Sequence, residues 1–94
     1  MSTLLVTYTI DDPDHEAALN AYLDGFESAR LSPTSRVIDT DVPAEELFRM
    51  MESRLGQDDR IYVFRLEQGW IGYGYDAIND WLHRHLGPGP TRCP

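Results

Sequence analysis

The chain has 94 residues, which is one domain's worth of sequence, and a core that buries roughly 60–65% of the unfolded surface. Sixteen acidic residues stand against eight basic ones, all arginine, for a net charge of −8. That balance disfavours nucleic-acid binding over most of the surface, because affinity for a polyanion comes from neutralising phosphates. No apolar run approaches the roughly 20 residues of a membrane span, and the N-terminus shows no signal-peptide pattern. One cysteine, Cys93, cannot form an internal disulfide, which fits a cytoplasmic location.

The first element is a strand over 4–10. Leu4, Val6, Tyr8 and Ile10 share one face, and Leu5, Thr7, Thr9 and Asp11 the other. Asp12-Pro13 then starts a helix, with Asp12 as N-cap and Pro13 at its first position. Leu19, Tyr22, Leu23 and Phe26 form its apolar stripe, and the pattern carries the helix to about Arg30.

Ser35 to Thr40 reads as a second strand. Pro43, Glu45 and Glu46 open a second helix with Leu47, Met51 and Leu55 on one face. Arg60 to Glu67 is a third strand, with Tyr62, Phe64 and Leu66 on one side and Ile61, Val63 and Arg65 on the other. Trp70 to Tyr75, interrupted by Gly72 and Gly74, is a short fourth strand. Ile78, Trp81, Leu82 and His85 mark a third helix, stopped by Gly87-Pro88. Residues 1–87 make the domain, and 88–94 are expected to be a disordered tail.

The order β-α-β-α-β-β-α implies an α+β, ferredoxin-like fold, with an antiparallel-rich sheet and the helices on one face. The other face would then carry Leu5, Thr7, Thr9, Ile61, Val63 and Arg65. It is too apolar for water and too polar for a core, so a second copy is expected to cover it in a homodimer.

Several stretches together resemble a known family. They are the opening "LLVTYTI", "SRVIDTDVPAEEL", "DDRIYVFRLE", "GWIGYG" and the closing "WLHRHL". In order and spacing they are similar to the superfamily of the small second core protein of CRISPR adaptation. Its SinR-like branch is nearest, and the virulence-associated protein D toxins are more distant. The resemblance implies a ferredoxin-like homodimer, in which C-terminal segments often cross to the partner's sheet. It allows a metal-dependent nuclease or a non-catalytic bridge between protein subunits.

One departure weighs against the nuclease. Active members of that family place an Asp directly after the aromatic residue of the first strand, but Thr9 follows Tyr8 in this chain. Asp11, on the same face, is the nearest substitute, displaced by ~6–7 Å along a strand. Mg²⁺ holds its oxygen ligands near ~2.1 Å in octahedral geometry, so such a shift spoils an inherited site.

The expectation is therefore a homodimeric interaction or adaptor module with a possible protein partner and no membrane. The alternative is a Mg²⁺- or Mn²⁺-dependent endonuclease, RNA first, with Asp11 from both subunits as metal ligand. A small-ligand sensor or a monooxygenase-type enzyme, binding in a cleft between helices and sheet, is a third reading. His15 near Asp11, the aromatics Trp70, Tyr73 and Tyr75, and a basic pair of Arg36 and Arg65 are further candidate features. No nucleophile-histidine set with usable spacing is present.

Overall fold

The computed structural model describes residues 2–92. Strand β1 (Ser2–Thr9) leads into α1 (Pro13–Leu23), followed by β2 (Glu27–Ser32), β3 (Ser35–Thr40), α2 (Ala44–Glu52) and β4 (Arg60–Leu66). Strand β5 (Gly72–Tyr73), α3 (Asp76–Leu86) and β6 (Thr91–Arg92) complete the described residues. The first four strands form one antiparallel sheet in the order β2-β3-β1-β4. Strands β5 and β6 form a separate parallel pair. The architecture is α+β.

Helix α1 starts as its sequence dictates. The Asp12 carboxylate accepts the Asp14 N–H at 2.8 Å, and Pro13 fills the first helical position. It stops at Leu23, not near Arg30. The N–H groups of Gly25 and Phe26 bond the carbonyls of Tyr22 and Leu23, three residues back, which tightens and ends the helix. Residues 27–32 form strand β2, absent from the sequence-based element order. Pairing with β3 and burial of Ala29 outweigh the weak helical preference of this stretch.

Register with β1 divides the sheet into two faces. Leu4, Val6 and Tyr8 lie opposite Arg65, Val63 and Ile61 on β4, and Leu4 lies opposite Ile38 on β3. This face packs on Leu19 and Leu23 of α1 and on Leu47 and Met51 of α2. On the reverse face, Val37 and Ala29 pack on Trp81, Leu82 and Leu86 of α3, with Leu5 and Leu66 beside them. The helices therefore cover both faces, not one as expected. Helix α3 carries its own apolar stripe, and Val37 and Ala29 give that stripe a dry surface to meet.

Two further expectations change. The 70–75 segment contributes only two paired residues, Gly72 and Tyr73. The tail is not free from Pro88 onward: Thr91 and Arg92 pair with β5, and the His83 ring bonds the Gly89 carbonyl at 2.9 Å. Trp70 holds the same stretch by donating its indole N–H to the Gly87 carbonyl at 3.0 Å. Cys93 lies outside the described residues.

Arg36 does not join Arg65 in an exposed basic pair. It sits 3% exposed on the face covered by α1 and donates to Asp24 at 2.6 Å and to Asn20 at 3.2 Å. The Tyr8 hydroxyl donates to the same Asn20 oxygen at 3.0 Å. A buried guanidinium depends on these acceptors. Asp24→Ala is expected to lower unfolding free energy by about 1–3 kcal/mol in urea titration. Arg36→Met, which removes the charge and keeps most of the volume, is expected to cost less than Asp24→Ala.

Candidate interaction surface

Helix α3 lies over β2 and β3 because two side chains pin it there. Trp81 donates its indole N–H to Glu27 of β2 at 2.9 Å. His85 meets Asp39 of β3 at 3.1 Å through Nδ1 and lies 3.6 Å from Glu27 through Nε2. The two rings stack with centroids 4.0 Å apart and planes tilted by 32°. His85 is thus a packing residue of the apolar stripe, as its position in the helical pattern implies.

Pinned in this way, α3 leaves the β4 side of the reverse face open. Thr7 lies opposite Tyr62, Thr9 opposite Arg60, and Leu5 opposite Phe64. Tyr62 is 59% exposed and Phe64 52%. These two rings, with Thr7 and Thr9, form a continuous uncovered strip that ends at the free edge of β4. Large aromatic side chains left in water on a sheet are a mark of an association surface.

The register corrects which of the expected residues share a face. Leu5, Thr7 and Thr9 do lie on one face, but Ile61, Val63 and Arg65 lie on the opposite one. Ile61 is buried against the core, and Val63 packs on it. Directly opposed residues in an antiparallel pair share a face, and Tyr8 lies opposite Ile61. The period-two pattern expected in β4 is present; its phase relative to β1 is the reverse of the expected one. The signal missed is that β-branched Ile61 and Val63 suit the surface beneath a helix as well as aromatics do.

A second apolar surface lies at the other end of α3. A groove of about 820 Å³ runs between the β2–β3 turn and residues 70–75. Leu31, Tyr73, Tyr75, Ile78 and Leu82 are among its lining residues. Trp70 turns inward to α3, while Ile71, Tyr73 and Tyr75 stay exposed. Gly72 gives Trp70 its space, since a Cβ there would sit 3.0 Å from the ring.

The Asp11 corner is built differently. Asp11 is exposed in the bend after β1, and its N–H donates to Asp59 Oδ1 at 3.1 Å. The Gly56 N–H donates to Asp59 Oδ2 at 2.7 Å, and His15 Nδ1 lies 3.5 Å from the same oxygen. Asp59, unremarked in the sequence pattern, is the organising group that ties the β1–α1 bend to the α2–β4 loop. His15 turns to Asp59, not to Asp11. Among the described residues, no three His, Cys, Asp or Glu side chains are grouped so as to hold a metal ion. No helix among them is long and apolar enough to cross a membrane.

Compared with protein-family models and with curated proteins, the chain matches none.

The hydrogen bond from Gly56 is the main cause that holds the Asp59 carboxyl below its ordinary pKa of 3.8, with help from Asp11 and His15 and against the opposing effect of burial. A carboxylate depressed by folding stabilises the fold fully above its unfolded pKa, and that contribution is lost as pH falls through the folded value. The melting temperature of Asp59→Asn should therefore lie below wild type at neutral pH. The difference should narrow as pH drops below 3.8, measured by circular dichroism.

Proposed function

We propose that this protein is a small homodimeric interaction module of ferredoxin-like fold, which acts by presenting a surface and not by catalysis. Tyr62 and Phe64, more than half exposed on the sheet strip that α3 leaves open, carry this reading. The strand order supports the fold assignment. Strands β1 and β2 run parallel with β3 between them, and β3 and β4 run parallel with β1 between them. Helices α1 and α2 are the two crossovers, as in a split β-α-β pair.

The resemblance to the CRISPR adaptation subunit, in its SinR-like branch, suggests the kind of role: a symmetric bridge that engages a second protein. The groove beside Tyr73 and Tyr75 is a surface on which such a partner has apolar area to bury. Thr9 in place of the family's metal-binding Asp, together with an Asp11 that stands in an exposed bend, favours the bridge over the Mg²⁺- or Mn²⁺-dependent nuclease.

Light scattering at tens of micromolar protein is expected to give the mass of a dimer. Labelled single-stranded RNA, duplex RNA and duplex DNA are expected to remain intact with Mg²⁺, Mn²⁺ or EDTA. Metal-dependent cutting that disappears in Asp11→Asn would replace this reading with the endonuclease. A monomer under those conditions would remove the bridge.

A further inference from the structure

We infer that the dimer forms edge to edge: β4 pairs antiparallel with β4 of a second copy about a two-fold axis at Val63, so that two four-stranded sheets become one of eight strands. This rests on the homodimer reading above and specifies its geometry.

Strand β4 is seven residues long and forms an edge of the sheet. Natural edges are usually guarded by proline, a bulge or a central charge. Strand β4 contains no proline, its register with β1 runs unbroken, and its two charges, Arg60 and Arg65, sit toward its ends. Such an edge is a template for another strand.

The strand's own sequence selects a second copy as the occupant. Centred on Val63, all seven residues find a counterpart. Arg60 then faces Leu66 of the second copy, Ile61 faces Arg65, and Tyr62 faces Phe64. No like charges are directly opposed, and two aromatic cross-strand pairs form, one on each side of the axis. Both pairs lie on the open strip, so Tyr62 and Phe64 cover each other's flanks across the axis.

The acidic neighbour for this basic strand comes from helix α2 of the other copy, not from its β4. Strand β4 carries two arginines and no acid, in a chain of net charge −8. The register brings Arg65 of the second copy beside Ile61, which shares a groove with Phe48 and Glu52 of α2. The arginine's aliphatic stem covers Phe48 and its head approaches the Glu52 carboxylate.

Edge pairing and face-to-face packing put different residues close together. At the proposed axis the two Val63 Cα atoms lie ~4.5–5.5 Å apart, within disulfide reach. The two Thr7 residues lie three strand spacings apart and two residues out of line, ~16 Å, beyond it. Packing of the open strips against each other would hold the sheets ~10 Å apart and take Val63, on the far face of each, out of reach.

In a Cys93→Ser background, Val63→Cys is expected to give mainly disulfide-linked dimer on mild oxidation, and Thr7→Cys mainly monomer, on non-reducing gels. Phe64→Asp should weaken the dimer roughly tenfold or more by sedimentation. If Val63→Cys fails to fold by circular dichroism, Tyr62→Cys/Phe64→Cys takes its place, since both positions are exposed and opposed across the axis. A dimer that cross-links through Thr7→Cys, or through neither β4 variant, overturns edge pairing and leaves the homodimer standing. A wild-type monomer by light scattering overturns both.

Discussion

Strand β1 is hydrogen-bonded on both sides, and its alternation decides which side of every other strand is dry. Leu4, Val6 and Tyr8 point to α1 and α2, and the residues opposite them on β3 and β4 must follow. Leu5 points the other way, and Val37 follows it under α3. A slip of one residue between β1 and β4 would send Ile61 and Val63 into water and Tyr62 and Phe64 into the core. The uncovered strip is thus a consequence of register more than of composition.

The placement of α3 sets how much of that reverse face stays open. Its two pins, Trp81 on Glu27 and His85 on Asp39, reach β2 and β3 and not β4. The helix buries the half of the face that holds Val37 and Ala29. The remaining half holds two threonines and two large rings, a mixture that suits a surface meeting another protein better than a core. One half of that sheet face is buried under a helix and the other is left to solvent.

The polar groups of the chain mostly serve the scaffold. Arg36, Asn20, Asp24 and Tyr8 knit α1 to the sheet, and Asp59 binds two loops through backbone N–H groups. Asp12 caps α1. The paired aspartates that end the first strand are thereby divided: Asp12 has a local structural duty, while the Asp11 backbone is held by Asp59 and its carboxylate stands in solvent at a strand end.

Local chemistry was enough to write down much of this protein from its sequence. Asp12-Pro13 announces the start of α1, and the i, i+4 spacing of Leu47 and Met51 announces the buried face of α2. The alternations in β1 and β4, and the inward His85, are legible for the same reason: each depends on residues within one or two turns of each other. What escaped depends on contacts distant in sequence. Strand β2 exists because residues 27–32 find β3, and β6 because the tail finds β5. The exposed faces of Tyr62 and Phe64 follow from a register with β1 more than fifty residues away. A period of two tells which side chains travel together; only the packed sheet decides which set meets the helices, because that choice rests on the summed burial of all strands at once.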